Sequence, residues 1–215
     1  MLTNFRFFAL TYLSDWWQYD DQFVRGLRPL AKSRREYLEK AANYYQVSRS
    51  FSEDFDGPAG RLDKALAEVD AMLLTVNNVI TPTNVDATVT TLAQRLGSIY
   101  LKKKTGKPQN LISAASKFLW LRRRSPVVIY DGRAVTTLTT LQANPGVTYA
   151  SYRSAWRAKF PKYEVPIRSA CSNLSHSSVR NFAPDSKAKI RLNSILRTRW
   201  FHERVFDKFL WWNGT

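Results

Sequence analysis

With 215 residues and 44% hydrophobic side chains, among them 7 Trp, 10 Tyr and 12 Phe, the chain has ample material for a buried core, which excludes wholesale disorder. Lys and Arg outnumber Asp and Glu by 33 to 17, and the formal charge of +16 favours polyanionic partners, nucleic acid ahead of an anionic membrane. The single cysteine, Cys171, excludes an intramolecular disulfide and a four-thiolate centre, and His176 and His202 lie far apart, so no metal and no other cofactor is expected.

The chain opens on "MLTNFRFFALTYLSDWW", which is apolar but short, with no basic region before it and no A-x-A pattern after it. It reads as a buried segment and not a signal peptide. No apolar run reaches the roughly 20 residues that a membrane-spanning helix needs, so a cytoplasmic protein without a membrane partner is expected. "SRREYLEKAANYYQ" predicts a helix that starts with a capping box, Ser33 and Glu36, and carries Tyr37, Leu38, Ala41 and Tyr45 on one face. "GRLDKALAEVDAMLLTVNN" repeats the period with Leu62, Ala65, Leu66, Val69, Leu73 and Val76. "TPTN" breaks the chain, and Asn84 is placed to cap a helix striped by Val85, Val89, Leu92, Leu96 and Tyr100. That helix ends in "LKKKTGKP", with lysines in its last turn and then Gly106 and Pro108 as stop signals.

Residues 135–183 are more irregular, with "TYASYRSAWRAKF" as their one predicted helix. "DSKAKIRLNSILRTRWFHERVFDKFLWW" reads as one long or kinked helix on which Phe201, Val205 and Phe209 repeat at four, with Phe206 and Leu210 beside them. The only short strand candidate is "VVIY", and hinges or crossovers are expected at 51–60, 79–84 and 142–147. The fold expected is all-α: one domain with a central lobe over 35–140 and a second lobe formed by 1–34 and 141–215.

"SKFLWLRRRSPVVIYDGRA", Ser116 to Ala134, carries the most chemistry. On a helix at 100° per residue, Leu111, Ile112, Ala115, Phe118 and Leu119 gather on one side. Lys117 points nearly opposite, with Ser113, Ala114, Trp120 and Leu121 for neighbours. Small and apolar neighbours partly desolvate an ammonium, and desolvation lowers a lysine pKa, as a nucleophile or proton shuttle requires. The bland alternative is a lysine snorkelling over a second packing surface. Asp131 also has two readings. Asp-Gly in "VVIYDGRAV" fits a type I′ hairpin turn. Equally, Pro126 and the four apolar residues after it fit an extended connector that brings Asp131 to a helix N-terminus.

A helix bearing a lysine, a loop with proline, an extended "VVIYD" and a new helix together resemble the core of helix-hairpin-helix DNA glycosylases, most nearly the 8-oxoguanine-glycosylase-fold branch with its "SK-x-L … P-x-x-I-x-D-x-R" run. The likeness spans roughly residues 109–138. The family's Gly-rich hairpin is replaced here by "TGKPQNLISAAS", with Gly106 its single glycine, and the four-cysteine cluster of some relatives is absent.

The resemblance implies two helical lobes around a cleft, and base removal by N-glycosidic cleavage after base flipping, with Asp131 and Lys117 as the catalytic pair. Lys117 would be either a Schiff-base nucleophile or a positioning cation. The implied partner is double-stranded DNA, bound by a monomer with no obligate protein partner. Lys102, Lys103, Lys104 and Lys107 on the hairpin's approach, and Arg122, Arg123, Arg124 and Arg133 beyond it, are the expected phosphate contacts. Trp120 is placed near the flipped base by helix geometry, and the pair Trp16 and Trp17 stands as a further aromatic choice against ordinary core packing. Repair of a damaged base and defence against phage DNA with modified bases are both within the family's range. A non-enzymatic helical DNA-binding regulator and an RNA- or ribosome-binding protein account for the same charge. The regulator does not account for the lysine's neighbours, and the RNA binder would prefer exposed aromatics with basic loops. No G-x-x-x-x-G-K-[ST] or G-x-G-x-x-G motif supports a nucleotide-binding enzyme.

Overall fold

The computed structural model describes residues 1, 3–48, 60–75, 80–99, 110–177 and 185–214. Every regular element among them is helical, so the all-α expectation holds, and "VVIY" forms no strand. No described helix is long and apolar enough to cross a membrane. The chain divides into two compact units, one of residues 1–19 and 130–215, the other of residues 20–129. The seams fall at 19/20 and 129/130, whereas the sequence placed them at 34/35 and 140/141.

The first unit contains α1 (Phe5–Asp15), α7 (Gly132–Thr140), α8 (Tyr149–Ser177), α9 (Ser186–Leu196) and α10 (Arg199–Asn213). Its axis is α10, which packs against α1, α7, α8 and α9. The repeat at four explains why: Phe201, Val205, Phe206, Phe209 and Leu210 are all fully buried. Their rings meet Phe5 of α1 at 5.4 Å from Phe209, Tyr12 at 4.9 Å from Phe201 and Trp156 of α8 at 5.1 Å from Phe206. The predicted long helix is two helices, because Thr198 turns extended (ψ 143) between α9 and α10.

α8 runs 29 residues, well past the 13 expected, with Pro161 and Pro166 inside it. Proline removes a helical N–H and clashes with the carbonyl four residues back. Here both prolines are exposed, and so are Arg157 and Lys162, the owners of those carbonyls, so water can serve them. The opposite side, through Phe160, Ile167, Cys171 and Leu174, is buried and outweighs the local penalty.

The second unit contains α2 (Asp21–Gly26), α3 (Arg34–Tyr44), α4 (Arg61–Thr75), α5 (Val85–Ile99) and α6 (Ile112–Arg122). A π-helical turn, Trp16–Asp20, precedes α2. The stripes on α4 and α5 are buried as expected at Ala65, Leu66, Val69 and Leu73, and at Val85, Val89, Leu92 and Leu96; Val76 and Tyr100 lie outside the described residues. The capping box does not form. Ser33 is neither helical nor extended (φ −103, ψ 26) and makes no side-chain cap, while Glu36 is drawn to Lys40 one turn on. Asn84 turns its side-chain oxygen back to the amide of Thr81 at 2.8 Å. Arg34, buried, ties the unit together: Nε donates to Asp70 of α4 at 2.9 Å and Nη1 to the Leu27 carbonyl at 3.3 Å.

Gly26 is where α2 meets α3. A Cβ there would stand 2.1 Å from the ring of Tyr37. Gly26→Ala therefore forces the ring aside, and a loss of about 1–3 kcal/mol is expected in urea unfolding. An unchanged midpoint would show that the two helices are not held at this distance.

Candidate functional site

Asp131 is delivered as the connector reading requires. Pro126, Val127, Val128 and Ile129 are buried, Tyr130 is half-buried, and Asp131 is extended (φ −145, ψ 140) at the N-cap of α7. Its Oδ1 accepts from the Arg133 amide at 3.0 Å. Gly132 starts a helix and makes no hairpin, since Arg133 to Leu138 can bury Ala134, Thr137 and Leu138 on α10 in helical spacing. Asp131 itself is half-buried.

A network that the sequence did not mark lies within the same unit. Tyr130 packs on Tyr152 with ring centroids 4.8 Å apart. Tyr152 is fully buried, and burial, followed by the charges of Asp207 and Asp131, drives its phenol well above the usual value. Asp207 accepts from Trp156 Nε1 at 2.8 Å and from Arg204 Nη1 at 2.9 Å. Burial pushes its carboxyl up to about 6; Arg204 and Trp156 oppose that, and the charge of Asp131 adds to it. Arg204 also lies 5.1 Å from the ring centroid of Tyr12. One turn back, Glu203 is pushed up to about 7 by burial against the pull of Arg199, whose Nε is 3.2 Å away. A charged Arg204–Asp207 pair inside the apolar repeat of α10 was the signal available in the sequence.

Arg133 is exposed, with its guanidinium 4.4 Å from the ring centroid of Trp211. Trp211 is 39% exposed.

Lys117 belongs to the second unit, on α6, and Asp131 to the first. α6 packs against α2, α4 and α5. Leu111, Ile112, Ala115, Phe118 and Leu119 are core as predicted, but Ala114, Trp120 and Leu121 on the lysine's own side are buried as well. Lys117 is half-buried, with its Nζ 6.0 Å from the ring centroid of Tyr45. The Tyr45 hydroxyl donates to Asp20 at 2.7 Å, and Asp20 is itself buried. Tyr45 was read from the sequence only as part of a helix face, and Asp20 was not singled out.

Two aromatic assignments change. Trp120 is 1% exposed, and Trp16 is 2% exposed with its ring 4.6 Å from that of Trp200. Packed on all sides, neither offers a face to a base, and both are core residues; Trp17 is half-buried. Of the expected phosphate contacts, Arg123 is exposed and Arg122 and Arg124 are half-buried. Burial and the charges of Arg34 and Arg123 pull the Arg122 pKa down, and its Nε is buried without a hydrogen bond. Lys102, Lys103, Lys104 and Lys107 lie outside the described residues. Among the described residues no three His, Cys, Asp or Glu side chains gather as a metal ion would need. The Cys171 thiol is pushed by burial to about 12, which makes it a packing residue and no nucleophile. No family model, curated protein or solved structure matches the chain.

Proposed function

We propose that the protein is a DNA N-glycosylase that removes a damaged or modified base from duplex DNA after the nucleotide leaves the stack. The observation that carries this reading is the placing of Asp131: a half-buried carboxylate in extended backbone, set at the cap of α7 after a buried segment, with an exposed arginine two residues on. A carboxylate held by a helix cap keeps its geometry while the substrate changes charge, as stabilisation of an oxocarbenium-like sugar demands.

In the reaction the base departs with the electrons of the N-glycosidic bond. Asp131 faces the positive charge that grows at C1′ and orients or deprotonates the incoming water. The resemblance gives Lys117 one of two roles, a nucleophile at C1′ or a positioning cation, and gives Arg122, Arg123 and Arg133 phosphate contacts. Unstacking the base costs a few kcal/mol, least for a damaged one. On this reading the all-helical fold is of the helix-hairpin-helix glycosylase kind, acting alone in the cytoplasm in repair or in defence against phage.

The test is incubation with duplexes carrying oxidised, alkylated or hypermodified bases, followed by measurement of alkali-labile breaks. Breaks at one modified position are expected, and their absence across the whole panel would reject the reading. Borohydride separates the two roles of Lys117: a covalent protein–DNA adduct that Lys117→Gln abolishes makes it the nucleophile, and base release without an adduct makes it the positioning cation. Duplex binding without base release would favour a non-enzymatic binder, a role that Arg123 and Arg133, both exposed, would serve equally well.

A further inference from the structure

We propose that Arg133 is the site's phosphate hook and that Trp211 and Gly214 are the positioning residues that aim it. This deepens the glycosylase reading and rests on it for the ligand, a DNA backbone phosphate beside the reacting nucleoside.

Three contacts converge on one residue. The amide of Arg133 donates to Asp131 at 3.0 Å. Its guanidinium lies over Trp211 at 4.4 Å. Its carbonyl is what Gly214 abuts, for a Cβ on Gly214 would fall 1.9 Å from that oxygen and 2.5 Å from its carbon. Backbone cannot move aside as a side-chain tip can, so only glycine fits at 214. The Thr137 hydroxyl donates to the Leu210 carbonyl at 2.6 Å, which fixes α7 against α10 just beyond. The end of α10 thus holds the residue whose amide Asp131 caps.

Chemistry assigns the hook its ligand. A guanidinium 4.4 Å above an indole ring is attracted by the ring's negative face, with no acceptor atom taking up its N–H donors. The contact also removes rotamer freedom that a free arginine would lose on binding, and a pre-ordered fork suits the paired oxygens of a phosphate. Lys208, ion-paired to Asp15, lies 5.9 Å from the same ring and helps to hold it in place. With its ring engaged by both cations, Trp211 serves as a shelf for Arg133.

The test is a double-mutant cycle on the full chain, with an unmodified duplex of about 20 base pairs read by fluorescence anisotropy over a salt series. Arg133→Ala should weaken binding about 5- to 10-fold and lower the salt slope by about 1. Trp211→Ala and Gly214→Ala should each weaken it about 3-fold or more while Arg133 is present, and should have no effect in the Arg133→Ala background, because they act through that side chain. Trp211→Phe, which keeps a ring, should retain most of the affinity. Melting curves confirm that each variant is folded, and a misfolded Gly214→Ala leaves the Trp211 arm to decide. Additive losses, or a Trp211→Ala variant that binds like wild type, overturn the proposal. A wild-type protein that binds duplex but frees no modified base rejects the glycosylase reading and leaves the cycle valid; a protein that binds no duplex rejects both.

Discussion

Asp131→Asn should lower base release by a factor of about 10²–10⁴ while leaving duplex affinity and melting close to wild type. The substitution is chosen for what it keeps. Asn caps a helix about as well as Asp, and its Oδ1 can still accept the Arg133 amide. α7 therefore starts where it did, and Arg133 stays in place. The negative charge facing the sugar is lost, and so is the ability to take a proton from water. Single-turnover excision at saturating enzyme isolates that step from binding. Asp131→Ala, by contrast, also removes the cap and should cost a further 0.5–2 kcal/mol of stability, or about 1 kcal/mol in a typical helix. Undiminished excision by Asp131→Asn would remove Asp131 from the chemistry, and a large drop in melting temperature would mean that its role is structural.

Arg204→Met should destabilise the protein by about 3–5 kcal/mol at pH 8, and by much less at pH 5. Both partners of the pair are nearly buried, Arg204 at 7% and Asp207 at 8% exposure. Removing the cation leaves a carboxylate that water cannot reach, held by Trp156 alone of the two donors named above. Asp207 already sits at about 6, above the usual carboxylate range, because burial outweighs Arg204. Without Arg204 it rises further, and protonation becomes the escape. The sign in the wild type follows from the same shift. With a folded pKa above the unfolded one, Asp207 contributes stability that is complete below about pH 4 and lost as pH rises through about 6. In the variant that loss extends to higher pH and grows. Urea melts at pH 5 and pH 8 measure the difference, and an equal penalty at both would show that packing, not the stranded charge, sets the cost.

Periodicity made much of the fold legible. The repeat of Phe201, Val205 and Phe209 marks the axis of one unit, and the stripes of α4 and α5 mark the faces they bury in the other. The capping role of Asp131 was half legible: "DGRAVTTL" fitted both a hairpin and a helix, and burial of Ala134, Thr137 and Leu138 decided for the helix. What stayed hidden depended on distant packing. The predicted helix "TYASYRSAWRAKF" ends short of Pro161, because the buried ridge that carries α8 beyond it is not visible in sequence. Trp16 and Trp120 read as pocket walls because an indole suits either a base or a core, and only neighbours such as Trp200 settle which. Asp207 finds Trp156 across 51 residues of chain, and Arg133 finds Trp211 across a longer span. A glycine against a backbone, as at Gly214, leaves no pattern at all.

The two prolines of α8 imply an order of assembly. Each would cost an isolated helix about 3 kcal/mol, so the segment from Phe160 onward cannot wind by its own propensity. It needs the aromatic faces of α1 and α10 as a template, and α10 comes later in the chain. Residues 149–177 synthesised as a peptide should be helical before Pro161 and unstructured after it. In refolding, the second half of α8 should gain amide protection only once α10 is in place.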